Sequence, residues 1–171
     1  GNDVIYGGTG NDVITDEDLE TTSAQSLYGE GGDDTITGGG NIYGGAGNDT
    51  INYTEMGDSM WGATVDGGDG DDTINVTASV DRVNGGDGDD EITIEDAGFG
   101  YISSGEGDDT VTISGSSNYD YYWDTNLDAG DDRLDVSEFS GKTREDFTAD
   151  GGEGDDTYIG RDVSKTNNTY D

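Results

Sequence analysis

Gly44-Gly45-Ala46-Gly47-Asn48-Asp49-Thr50-Ile51-Asn52 is one of nine copies of a glycine- and aspartate-rich segment spread along these 171 residues. Gly7 to Thr15, Gly67 to Asn75 and Gly85 to Thr93 repeat it in full. Gly29 to Thr37, Ser104 to Thr112, Leu127 to Asp135 and Gly151 to Ile159 repeat it more loosely, and the chain opens inside another copy at Gly1-Asn2-Asp3-Val4-Ile5-Tyr6. A unit this short cannot bury an apolar face alone. Recurring copies therefore predict stacked coils, each resting on its neighbours.

Within a copy the residue types divide the labour. The first six positions are a turn, where glycine permits positive φ and close approach of the backbone. The last three form a strand whose middle residue points inward. Ile14, Ile36, Ile51, Ile74, Ile92, Val111 and Leu134 occupy that place, and Val76, Ile94, Ile113 and Val136 extend the same face two residues on. An all-β chain with a narrow aliphatic core is expected, as one domain over residues 1–171 and a piece of a longer secreted protein.

Charge sets the next constraint. The chain holds 41 acidic and 6 basic residues, a formal net charge of −35, and only 28% of its residues are hydrophobic. Such a composition predicts disorder in plain buffer, because little apolar burial offsets the ordering entropy. Nucleic acid and anionic membranes have the wrong sign as partners. A hard divalent cation fits, since carboxylates and backbone carbonyls are its preferred ligands. The absence of Cys and His removes disulfides, zinc–thiolate sites, thiol nucleophiles and the commonest general base. No apolar run reaches the length of a membrane span, and no signal-peptide pattern is present. No catalytic residues are assigned: among 41 acids some pair always lies at a glycosidase-like separation, so such pairs carry no weight.

The copies resemble the nonapeptide G-G-x-G-x-D-x-U-x of RTX proteins, U being a large apolar residue. The resemblance implies a right-handed parallel β-roll or β-helix solenoid with calcium bound between stacked turns. It implies that the sixth-position Asp and the carbonyls of positions two and four hold an ion shared with the next turn. Carried onto this sequence, the acids are Asp3, Asp12, Asp34, Asp49, Asp72, Asp90, Asp109, Asp132 and Asp156. The carbonyls are those of Gly8 and Gly10, Gly32, Gly45 and Gly47, Gly68 and Gly70, Gly86 and Gly88, Gly105 and Gly107, Gly130, and Gly152 and Gly154. Glu30 and Asp128 replace glycine at position two, which alters the carbonyl geometry expected there. About six to eight calcium ions are expected in such a column.

A regular RTX roll carries a motif every nine residues, one on each side of a coil. Here the fourth-position glycines, from Gly1 through Gly154, are separated by 9, 22, 15, 23, 18, 19, 23 and 24 residues. Most coils thus hold one motif. Leu27, Ile42, Val65, Val83 and Ile102 recur two residues before it, where a preceding strand would point inward, while Thr125 and Ala149 break this pattern. The expectation is a roll with calcium mainly on one side. Its opposite turns vary in length and include an acid-free tight turn at Gly38-Gly39-Gly40-Asn41.

By resemblance, such proteins are bacterial, leave the cell by type I secretion, and include toxins, proteases, adhesins and surface-layer proteins. The expected function is a calcium-binding structural module of an extracellular or cell-surface protein, with calcium as partner and with glycan, cell surface or like subunits as further partners. An enzyme reading requires a domain outside these residues. A different class of function is a binding face. Outward Thr35, Thr50, Thr73, Thr110 and Thr157, with Thr15, Thr37, Asn52, Asn75, Thr93 and Thr112, form ladders resembling those of ice-binding solenoids; ordinary β-propensity explains them too. Aromatic residues between Tyr119 and Trp123, and Met56, Met60 and Trp61, fall in long opposite turns. They suit a glycan or protein contact, or a cap on the core. The stretch Ser137 to Asp150, with Lys142 and Arg144, reads as a helical or looped excursion.

Overall fold

A computed structural model describes residues 3–16, 25–54, 62–115, 123–140 and 147–160. The described residues are all-β, with sixteen strands in two parallel eight-stranded sheets. Each coil contributes one strand to each sheet. In the first sheet lie β1 (Val4–Thr9), β3 (Ser26–Gly31), β5 (Asn41–Ala46), β7 (Thr64–Asp69), β9 (Val80–Asp87), β11 (Phe99–Glu106), β13 (Trp123–Asn126) and β15 (Phe147–Asp150). In the second lie β2 (Val13–Thr15), β4 (Thr35–Gly38), β6 (Thr50–Tyr53), β8 (Thr73–Val76), β10 (Glu91–Glu95), β12 (Thr110–Ser114), β14 (Arg133–Asp135) and β16 (Thr157–Ile159). No helix among the described residues is long and apolar enough to cross a membrane.

Equivalent motif positions pair from coil to coil. Ile36, Ile51, Ile74, Ile92, Val111 and Leu134 follow one another in register, as do Leu27, Ile42, Val65, Val83 and Ile102. All are fully buried and share one core. Each such side chain contributes about 1.5–3 kcal/mol by leaving water. Tyr53 joins this core although its equivalents are Gly38 and Val76. Thr125 keeps its inward place and is fully buried, paired with Ile102 in the inherited register.

Each of the eight motif turns from Gly7 onward runs from the first sheet to the second, so these turns lie on one side of the roll. From Gly10 to Asp109 the gap between strands at this turn is three residues each time, as at 47–49 and 70–72. The connections on the opposite side range from the two residues 39–40 to the eleven residues 136–146. Gly40 makes the shortest turn at φ +75°. The excursion expected from Ser137 to Asp150 ends in a strand: Phe147–Asp150 is β15, paired with β13, because Ala149 occupies the inward register position after Thr125. Phe139 bridges to Gly115. The aromatic residues 119–122, Met56, Met60, Trp61, Lys142 and Arg144 lie outside the described residues; the backbone of Trp123 begins β13.

Candidate metal column in the motif turns

The sixth-position aspartates stack one above another and bind each other's backbone. The amide of Asp34 donates to Oδ1 of Asp49 at 2.7 Å, that of Asp49 to Asp72 at 2.7 Å, and that of Asp72 to Asp90 at 2.8 Å. The series runs from Asp12, which donates to Asp34, through Asp90, Asp109 and Asp132 to Asp156. Asp34, Asp49, Asp72, Asp90, Asp109 and Asp132 are buried. Asp3 stands apart: it precedes β1, on the opposite side of the coil, is exposed, and its carbonyl accepts from the Ser26 amide.

One carboxylate oxygen is thereby satisfied and the other is not. Oδ2 of Asp12, Asp34, Asp49, Asp72, Asp90, Asp109 and Asp132 is buried without a hydrogen-bond donor. A buried unpaired oxygen of an ionised carboxylate is costly. Burial is the main reason the carboxyl pKa rises to about 6 for Asp49 and about 7 for Asp72, Asp90 and Asp132. The amide donated by the preceding coil's aspartate pulls each of them back down, and neighbouring aspartates push up again. Asp109 is raised for the same first cause.

Backbone oxygens complete the setting. A methyl group on Gly7 would meet both Oδ2 of Asp12 and the carbonyl of Gly29, at 2.9 Å each. The same pair, the motif's own Oδ2 and the first-position carbonyl of the next coil, crowds Gly29, Gly44, Gly67 and Gly85. Two acceptors thus flank one point with no donor between them. Strand pairing skips this position, passing from Tyr43↔Asp66 to Gly45↔Gly68. Among the described residues the carbonyls of Gly10, Gly32, Gly47, Gly70, Gly88, Gly107 and Gly130, at the fourth position, accept no backbone hydrogen bond, whereas the amides of the same residues donate to the next coil's third-position carbonyl.

Positions two and four need glycine's freedom. Gly45 and Gly47 have φ of +119° and +132°, and the carbonyl of Gly47 lies against the α-carbon of Gly70. Gly8, Gly68, Gly86, Gly105 and Gly152 repeat the first geometry, and Gly10, Gly32, Gly70, Gly88, Gly107, Gly130 and Gly154 the second. Glu30 and Asp128 take the same left-handed region, at φ +75° and +64°, so the turn overrides their side chains. The first-position glycines also line the column, a role that the motif resemblance does not give them. Their signal is their recurrence, broken only at Ser104 and Leu127, where the Ser104 hydroxyl donates to the Leu127 carbonyl at 2.7 Å.

The donor set suits a hard cation: one carboxylate oxygen per turn and several carbonyls, all oxygen. Among the described residues no three acidic side chains converge, so most ligands of such an ion would be backbone atoms. The profile of one family, the RTX calcium-binding nonapeptide repeat, matches four copies in this chain, at residues 1–18, 26–41, 41–54 and 64–93. No curated protein and no solved structure matches significantly. The matched repeats and the coils stacked as parallel sheets match an RTX-type calcium-binding repeat protein with a β-roll fold.

Proposed function

We propose that this roll is an extracellular structural module that folds on calcium and serves as a rigid spacer or adhesive segment of a surface or secreted protein. The ions would sit in the one column of motif turns, held by Oδ2 of Asp12, Asp34, Asp49, Asp72, Asp90, Asp109 and Asp132 with adjoining motif carbonyls. The observation that carries the reading is the run of buried Oδ2 atoms without donors. Bound calcium supplies the positive charge they lack. Eight strands per sheet leave seven gaps between turns. Seven divalent ions carry +14 and would bring the formal charge from −35 to −21. Calcium at extracellular concentrations, with sites of about 10⁻⁴–10⁻³ M, matches a role outside the cell. Circular dichroism tests it: the β signal should vanish in excess EDTA and return cooperatively with calcium. A full β signal in EDTA at pH 8 would dismiss the proposal.

A second reading has one observation in its favour. The Thr and Asn ladders keep register on the outer face of the second sheet, with Thr50 beside Thr73 and Asn52 beside Asn75. Asn75 Nδ2 donates to Asn52 Oδ1 at 3.2 Å. Such a grid could order surface water. Glu91, Arg133 and Asp135 interrupt it. Thermal hysteresis with calcium present, abolished by Thr73→Tyr, would support ice binding; no hysteresis would remove it.

A further inference from the structure

We propose that the outer face of the first sheet carries a saccharide-binding groove centred on Arg82. The groove lies across β7, β9 and β11, has a volume of about 440 Å³, and is lined by Thr64, Asp66, Arg82, Asn84, Tyr101 and Ser103. That volume falls in the range of small-molecule sites, about 300–1,000 Å³. The groove exists only on the folded roll, so it rests on the calcium reading for its formation.

Arg82 is the unusual element. In a chain with 41 acids it makes no ion pair among the described residues, whereas Arg133 does, with Asp135 at 2.6 Å. Its guanidinium instead lies over the ring of Tyr101, 5.2 Å from the centroid. Cation–π contact and the ring's rigidity hold the group in place on the surface. Within the groove, Asp66 Oδ1 accepts from Asn84 Nδ2 at 2.8 Å. The fixed guanidinium fork keeps donors for a ligand.

The lining mixes donors with acceptors. Arg82 donates only and Asp66 accepts only. Asn84 keeps its carbonyl and one amide hydrogen beside its bond to Asp66, and Ser103, whose hydroxyl donates to Asp128, still accepts. Thr64 and Tyr101 donate and accept. Sugar hydroxyls also do both, so a polyhydroxylated ring matches this set. An anionic ligand does not: it would meet Asp66 inside the groove and the chain's net negative charge outside it. A peptide strand does not, because β9 is hydrogen-bonded on both sides, to β7 and β11, and offers no edge. Neutral saccharide is the occupant these observations favour.

The test is a two-dimensional NMR titration of the ¹⁵N-labelled, calcium-loaded chain. The neutral probes are maltotriose, cellotriose and mannotriose; trigalacturonate is the acidic probe. At least one neutral trisaccharide should shift the amides of Thr64, Arg82, Asn84, Tyr101 and Ser103. Arg82→Ala and Asn84→Ala should each weaken that binding about tenfold. Both side chains lie on the outer surface, and unchanged circular dichroism in calcium would confirm that the variants fold. Three results would overturn the proposal: no shift at these residues with any neutral probe, shifts with trigalacturonate alone, or affinities unaltered by Arg82→Ala. The wild-type signal in EDTA, taken on the same sample, reports separately on the calcium reading. A roll folded without calcium would refute that reading and leave the groove test in force.

Discussion

The amide of Asp72 donates to Oδ1 of Asp90 at 2.8 Å, and Oδ2 of Asp90 is left buried with no donor. The first contact fixes the side chain from the neighbouring coil. The second oxygen is then aimed where protein supplies only further acceptors. Removing the carboxylate at this interior turn should therefore remove both a coil-to-coil bond and a cation ligand.

Asp90→Ala should raise the calcium concentration needed for half-maximal folding severalfold. Asp156→Ala should raise it less, because Asp156 accepts from Asp132 at the last turn of the column and lies partly exposed. Calcium titrations followed by circular dichroism compare the two. Equal midpoints would contradict a shared column.

Protons should partly replace calcium. In the metal-free fold Asp49 has its pKa raised to about 6, and Asp72, Asp90 and Asp132 to about 7, against a usual value of 3.8. A carboxyl with a raised folded pKa favours the folded state in acid and loses that contribution as pH rises through the folded value. With EDTA present, β signal should increase as pH is lowered from 8 through 6 towards 4. A chelated chain whose signal falls over that interval would refute this.

Glu30→Gly should stabilise the roll. Glu30 holds φ +75°, in a place where Gly45 and Gly68 have +119° and +120°. Relief of the left-handed strain is worth about 1 kcal/mol. Thermal melts in saturating calcium should show a higher midpoint; a lower one would mean that the Glu30 side chain makes a stabilising contact.

Ser104→Gly should strengthen the calcium response. The Ser104 hydroxyl occupies the Leu127 carbonyl, the equivalent of the first-position carbonyl beside Asp34 or Asp49 in other turns. Freeing it should add a ligand near Asp109. Calorimetric titration should give tighter binding or one further ion, and weaker binding would assign the hydroxyl itself to the site.

Ile74→Ala should cost about 2–5 kcal/mol, since Ile74 is fully buried between Ile51 and Ile92. Denaturant unfolding in calcium measures it.

Much of this was legible in the sequence because a stacked repeat makes local pattern and long-range pairing the same information. Once Ile51 and Ile74 hold equivalent motif places, their adjacency follows. The inward residues before each motif, from Leu27 to Ile102, were readable for the same reason. Asp3 was harder: it matches the motif, but only nine residues separate Gly1 from Gly10, and one strand's length puts it on the other side of the coil. The rings of Tyr6, Tyr28 and Tyr43 stack with successive centroids 4.9 Å apart, and each tyrosine, directly before the glycine that opens a motif, looks isolated until coils are aligned. Arg82 and Tyr101 belong to different coils and hold no motif position, so only the folded sheet brings them together.

The contrast between the two sides of the coil bears on what can be built into this chain. Motif turns tolerate almost no change of length, whereas the far connections already span from residues 39–40 to residues 136–146 without disturbing register on either sheet. Extra sequence accepted there hangs from a continuous spine and shifts no neighbour. The far side is thus a row of graft points, one per coil, on which peptides or whole domains could be displayed at the strand spacing of about 4.8 Å, and under the proposed calcium-driven folding the ion would set their alignment.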